Sequence, residues 1–269
     1  MFHPHFGIKM AFLNFFRLFF FYLQRYNIRM TNFKMRLAEK NIEVDCLDPY
    51  TREYCKDFLI DDSLPCEESF AINEDDIKKE MDLECNRGSY GSPELSCLYR
   101  KIVTRFVLDD ILLFHCSSIA IHDKAYCIAA HSGVGKSTHV RILRKVYQGR
   151  ITCINDDKPL LRFEKDHIEV YGTPWNGKER LSNNIHKPLD GICFLSRGQT
   201  NSIRRISPKK AFDKMISQVY RPSGKTELIK TLSLVDRTLS TVPLYDLRVN
   251  MKDEAATVSY MGMVERKGL

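Results

Sequence analysis

Ala130-His131-Ser132-Gly133-Val134-Gly135-Lys136-Ser137 is the stretch on which the reading of this chain turns. Two glycines separated by one residue precede a lysine and a hydroxyl-bearing side chain. An apolar run over 125–130 leads into it, and 136–147 leads out with Val140, Leu143 and Val146 at helical spacing. Strand, glycine loop and helix in that order are the layout of a phosphate loop (Walker A), with alanine at the first position, where glycine is usual. The physical need is plain. A polyphosphate is anionic, and a helix N-terminus offers it unpaired N–H groups at the positive end of the helix dipole. Gly133 and Gly135 let the backbone wrap closely, Lys136 reaches the β- and γ-phosphates, and the Ser137 hydroxyl ligates Mg²⁺. Ser132, Gly133, Val134, Gly135, Lys136, Ser137 and Thr138 are therefore the expected nucleotide-binding residues.

Downstream, Ile151-Thr152-Cys153-Ile154-Asn155-Asp156-Asp157 reads as an apolar strand that ends in acids. One such carboxylate can hold Mg²⁺, directly or through water. Successive side chains on a strand diverge, so its neighbour is free to address an acceptor. A turn with solvated acids before Pro159 is the plainer alternative. Upstream, His115 lies in the apolar run 112–121. It reads either as a hydrogen-bonded core residue or as a group at the strand ends, where α/β proteins place their ligands.

These three elements, Phe114-His115-Cys116, Ser132-Gly133-Val134-Gly135-Lys136-Ser137 and Asn155-Asp156-Asp157, in this order resemble the catalytic domain of the HPr kinase/phosphorylase family. That family is grouped with the ATP-dependent phosphoenolpyruvate carboxykinases, and the resemblance covers about residues 105–200. It implies an α/β phosphate-loop domain with a mixed sheet flanked by helices and a small N-terminal α+β part. The implied activity is transfer of the γ-phosphate of ATP, with Mg²⁺, to a serine-type hydroxyl of a protein or peptide. Asp156 takes the place of the general base, and Asp157 that of the Mg²⁺ ligand beside Ser137. His115 and Lys136 fall at the catalytic centre. Glu169, in Glu169-Val170-Tyr171-Gly172, takes the place of a further Mg²⁺ ligand, although tyrosine stands where the family has arginine. HPr-type enzymes are oligomers, so a homo-oligomer is implied too.

The chain also departs from that family. Gly172-Thr173-Pro174-Trp175-Asn176-Gly177-Lys178-Glu179 is closer to HPr-kinase-related proteins of modified-peptide biosynthesis, among them peptide serine kinases. Residues 36–100 do not match the regulatory domain of the HPr enzymes, which argues against HPr itself as acceptor. A kinase of free serine or another small alcohol, and a nucleotide-responsive binding module, stay open as alternatives. The 172–180 stretch is a loop by its Gly, Pro and Asn content. It is either an acceptor-binding lid with Lys178 on phosphate, or a surface turn with Trp175 tucked into the core. Arg197, Arg204 and Arg205 are candidates to neutralise charge in the transition state.

The 269 residues are 43% apolar and 28% charged, ordinary for a globular protein. The formal charge is +7, but Lys9, Arg17, Arg25, Arg29 and Lys34 all precede the first acid, Glu39. The rest is nearly balanced and gives no reason to expect a nucleic-acid partner. Nine cysteines without a CxxC pair read as reduced thiols of a cytoplasmic protein rather than as a zinc site. Residues 1–34 form an aromatic, basic leader. Its longest clean apolar run, Leu18 to Leu23, falls far short of the roughly 20 residues of a spanning helix. An interfacial helix, a span, and a true start at Met30 or Met35 are the open readings, so membrane contact is expected only through residues 1–29. Residues 35–104 make the small α+β region and 105–269 the catalytic domain. Within them a strand is expected over 36–48, a helix over 49–60 and a polar surface stretch over 61–95 with one strand near 69–72. Helices follow over 95–108, 207–220, 225–239 and from Asp253, with further strands at 168–171, 192–195 and 244–249.

Overall fold

The structure, a computed structural model, describes residues 30–87, 92–177 and 179–265. The expectations placed on residues 1–29 and on Lys178 lie outside the described residues. The chain divides into two compact units: residues up to Met35 with Asn41–Lys101, and Arg36–Lys40 with everything from Ile102 onward.

The first unit contains most of a three-stranded sheet, in which β1 (Thr31–Leu37) and β2 (Lys40–Cys46) neighbour each other and β3 (Glu68–Ala71) lies parallel to β2. The single strand expected over 36–48 is thus two strands. Ala38 and Glu39, with φ of 47° and 62°, form the two-residue turn between them, a left-handed pair that hairpins favour but that neither residue type advertises. Helix α1 (Pro49–Tyr54) begins as the sequence suggests, with Pro49 in its first turn and the Asp48 carboxylate accepting from the Tyr50 N–H at 2.9 Å. The stretch 61–95, expected to be surface loop with one strand, also holds the 14-residue helix α2 (Glu74–Arg87). Its start is a reciprocal cap: the Asp76 N–H donates to Asn73 Oδ1 (2.9 Å) and the Asn73 N–H to Asp76 Oδ2 (3.1 Å). Helix α3 (Pro93–Phe106) carries the chain into the second unit.

Among the described residues the second unit is built on a nine-stranded sheet. Its path runs β4 (Ile111–Leu113), β8 (Leu160–Phe163), β9 (Ile168–Tyr171), β10 (His186–Arg197), β6 (Lys124–Ala129), β5 (Ser117–Ile121), β7 (Ile151–Asn155). Strand β12 (Leu244–Val249) pairs with β10, and β11 (Ser202–Arg205) with β12. Strand β10 is parallel to β6 and β12 but antiparallel to β9, so the sheet is mixed. Both faces are covered, as the period-two alternation of strand side chains requires. On one face Cys127, Ala129, Ile192 and Phe194 pack with Met215 of α5 (Pro208–Ile216) and Leu234, Val235 and Leu239 of α6 (Lys225–Thr241). On the other, Tyr126, Ile128, Cys193 and Leu195 pack with Val140 and Leu143 of α4 (Lys136–Val146) and Ala255 and Ala256 of α7 (Glu254–Tyr260). The chain is therefore a mixed α/β protein with helices flanking the sheet.

Some expectations change here. The apolar run 112–121 is two strands, because β4 pairs with β8 whereas β5 pairs with β6 and β7. Phe114, His115 and Cys116 bridge the change of partner, so His115 is not within a strand. Val146, expected to face inward, is exposed at the end of α4. Strands β8 and β11 were not foreseen. No helix among the described residues is long and apolar enough to cross a membrane. Cys46, Cys55, Cys66, Cys97, Cys116, Cys127, Cys153 and Cys193 carry free thiols.

Candidate active site

Strand β6 ends at Ala129, the glycine loop follows, and α4 begins at Lys136 with Gly135 as its N-cap. Gly133 has φ 79° and Gly135 φ 116°, both in the left-handed region that L side chains rarely adopt. At Gly135 there is a second constraint, since a Cβ would lie 2.6 Å from Cε of Met251. The loop is also braced from β10, where Arg197 donates from Nε to the Val134 carbonyl (2.7 Å) and from Nη2 to the Gly133 carbonyl (3.3 Å). A cleft of about 570 Å³ opens here, lined in part by Ala130, Ser132, Gly133, Arg197, Lys214 and Gln218.

Lys136 turns back under the loop. Its Nζ donates to the Ala130 carbonyl at 3.0 Å and stands 3.3 Å from His115 Nε2. The same imidazole nitrogen is 3.0 Å from Asp157 Oδ1, and Lys158 Nζ is 2.9 Å from Asp157 Oδ2. Gln218, buried at the end of α5, faces His115 from behind. With its amide turned to satisfy both ends, it donates to His115 Nδ1 (3.1 Å) and to the Ala130 carbonyl (3.1 Å), and accepts from Ser217 Oγ. That assignment makes Nδ1 an acceptor and leaves the ring proton on Nε2, aimed at Asp157.

The electrostatics separate the two aspartates. Burial pushes the Asp157 carboxyl up, but the hydrogen bond from His115 and the charge of Lys158 outweigh it and hold Asp157 well below the usual carboxylate range. Burial raises Asp156, and the charge of Asp157 adds to that, against the opposing hydrogen bond from the Gly177 N–H. That bond is 2.6 Å, to Oδ1. Oδ2 is buried and has no hydrogen-bond partner among the described residues. Burial also lowers Lys136, opposed by Asp157 and Cys116. Two adjacent carboxyls pushed apart in this way are suited to different tasks.

The structure thus brings Lys136, His115 and Asp157 together, while Asp156, the next residue, receives the N–H of Gly177. Ser137 is exposed in the first turn of α4, with Thr138 beside it half-buried. Glu169 is not brought in. It sits on β9 opposite Arg162 and Pro188, two residues along from the Leu160–Tyr171 pair, and its carboxylate is held by His167 and His186, each at 3.1 Å. Among the described residues no three His, Cys, Asp or Glu side chains form a metal-holding group. Trp175 is buried, 3% exposed, as the core-tucked reading of its loop expects. Arg204 and Arg205 are exposed on β11, and Arg197 grips the loop rather than reaching past it.

Asn155 and Gln218 were missed by sequence reasoning. Asn155 had a signal, a polar residue closing an apolar strand just before two acids. Gln218 had none.

No family model matches the chain, and no curated protein matches it. Among solved structures, the Hpr(Ser) kinase/phosphatase from Coxiella burnetii is similar at a TM-score of 0.34 and 10% identity, over 58% of this chain and 99% of that one. This is a weak likeness, confined to the fold.

Proposed function

We propose that this chain is an ATP-dependent kinase that transfers the γ-phosphate to a serine-type hydroxyl of a protein or peptide. The observation that carries the proposal is the gathering of Lys136, at the head of α4, and Asp157 around Nε2 of His115. A cation for the phosphates and a carboxylate kept ionised meet beside a glycine loop and a helix N-terminus, the combination phosphoryl transfer needs.

In this reading the loop N–H groups and Lys136 hold the triphosphate. Ser137 and Asp157 suit Mg²⁺, since one offers an exposed hydroxyl and the other a carboxylate that stays charged; the ion would neutralise charge on the β- and γ-phosphates. Asp156 serves as general base. Its raised affinity for a proton, and an Oδ2 without a hydrogen-bond partner among the described residues, both support that role. The acceptor hydroxyl gives its proton to Asp156 as its oxygen bonds to the γ-phosphorus, and the bond to the β-γ bridging oxygen breaks to release ADP. Positioning and charge stabilisation supply most of the rate enhancement.

The test is transfer of label from γ-labelled ATP with Mg²⁺ to a panel of serine peptides, free serine and other alcohols. Asp156→Asn is expected to bind nucleotide normally and to lose transfer. An Asp156→Asn variant as fast as wild type removes Asp156 from the base role. Labelling of the small alcohols alone replaces the peptide acceptor with a metabolite. ATP binding with no acceptor anywhere in the panel favours a nucleotide-responsive binding module.

A further inference from the structure

Asn155 closes β7 and is fully buried. Its side chain ties two segments together. Oδ1 accepts the N–H groups of Asp157 (2.8 Å) and Lys158 (2.6 Å), which fixes the turn that presents Asp157 to His115. Nδ2 faces the Thr173 carbonyl (3.0 Å), Thr173 Oγ1 (3.1 Å), the Trp175 carbonyl (3.2 Å) and Ser182 Oγ (3.3 Å). Thr173 Oγ1 donates onward to the Lys158 carbonyl at 2.8 Å, and Ser182 Oγ to the Thr173 carbonyl at 2.5 Å. Both ends of the 173–182 stretch are therefore fastened to one amide, which also shapes the Asp157 turn. Between those ends, the Gly177 N–H rests on Asp156.

An amide suits this place for a chemical reason. It offers an acceptor on one edge and two donors on the other, in a fixed plane. A carboxylate of the same shape would keep the acceptor edge and set oxygen against the carbonyls of Thr173 and Trp175. An apolar side chain would leave buried groups unpaired on both edges, which is costly.

We infer that Asn155 is a positioning residue that registers the acceptor side of the site, the segment ends at Thr173–Trp175 and Ser182, against the nucleotide side, the Asp157 turn. The functional half of this inference rests on the kinase reading; the structural half does not.

The experiment uses the full chain. Asn155→Asp cuts the donor edge only. Ser182→Ala loosens one segment end without touching the Asp157 turn, and Thr173→Val loosens the other while also removing the hydrogen bond to the Lys158 carbonyl; the two replace Asn155→Asp should that variant not fold. Amide hydrogen exchange on the nucleotide-free protein reads the brace directly. Exchange is expected to quicken at least about tenfold in peptides covering 173–182 and to stay unchanged over β6 and α4. ATP affinity, by calorimetry, is expected to stay within about threefold of wild type, since the Asp157 turn keeps its acceptor. With a peptide acceptor in hand, KM for that peptide is expected to rise about tenfold or more while KM for ATP holds. Thr173→Ser, which keeps the hydroxyl, is expected to restore slow exchange. Unchanged exchange over 173–182 in the folded variants overturns the inference. So does a parallel rise of both KM values, which is the mark of a general structural defect. If wild type phosphorylates nothing, the kinase reading falls, and exchange with ATP affinity still decides whether Asn155 is a brace.

Discussion

Nε2 of His115 lies 3.0 Å from Oδ1 of Asp157 and 3.3 Å from Nζ of Lys136, so one ring nitrogen stands beside both the carboxylate and the ammonium. Asp157 owes its low proton affinity to His115 and Lys158 together. His115→Leu is therefore expected to leave Asp157 tethered on one side only and free to turn from the loop. The expected outcome is a fall in affinity for Mg·ATP of about tenfold, or ~1.4 kcal/mol, with a smaller change for ATP in the presence of a chelator. Calorimetric titrations with and without Mg²⁺ make the comparison. Equal losses under both conditions would show that His115 acts through Lys136 and not through Asp157.

Gly135 carries two constraints that a pair of variants can separate. Gly135→Ala meets both the left-handed backbone and the methyl of Met251, and nucleotide binding is expected to drop by about tenfold or more. The backbone penalty alone is about 1–2 kcal/mol. Met251→Ala removes only the steric conflict. The double variant is therefore expected to recover part of the lost affinity and no more. Full recovery would mean that the loop does not need its φ of 116° at Gly135.

Stability is expected to fall on mild acidification because of His139. This residue is fully buried between α4 and α7, with Nε2 2.8 Å from Ser259 Oγ and Nδ1 without a hydrogen-bond partner among the described residues. Burial lowers its pKa from 6.5 to about 4. Between those values the unfolded chain binds the proton and the folded one does not, so stability is full above pH 6.5 and is lost as pH falls toward 4. The loss amounts to roughly 3 kcal/mol once pH is below both values. Urea unfolding at neutral pH and near pH 4.5 is expected to show a shallower pH dependence for His139→Gln than for wild type. Identical slopes would assign the acid sensitivity to other groups.

The sequence exposed those parts of the site whose geometry is local. The glycine spacing, the strand before it and the helix after it lie within a few residues of one another, and so do Asp156 and Asp157 at the end of β7. It hid what depends on distant contacts. Gln218 meets His115 only because α5 packs behind the loop, and Asn155 gains its partners from the segment around Thr173. His115 looked like a strand residue because apolar side chains continue on both sides, while the chain beneath them changes sheet partners. Helix α2 was lost behind its acidic first turn, although the Asn73–Asp76 cap was there to be read. Only the apolar end of β10 was foreseen, since His186-Lys187-Pro188 does not look like a strand until β9 pairs with it. Glu169 was placed by a family motif alone, and nothing in its own sequence surroundings announces the contacts its carboxylate makes with His167 and His186.

Strand β10 changes company partway along. Its first residues, His186 to Pro188, run against β9, and from Leu189 it lies beside β6, with a register slip between Leu189 and Gly191. Alternation along a strand has a period of two, so one slipped residue resets the phase of everything on its far side. The slip works as an expansion joint. Residues added to or lost from the β8–β9 arm can be absorbed at Asp190 while Ile192, Cys193, Phe194 and Leu195 keep their places in the two cores.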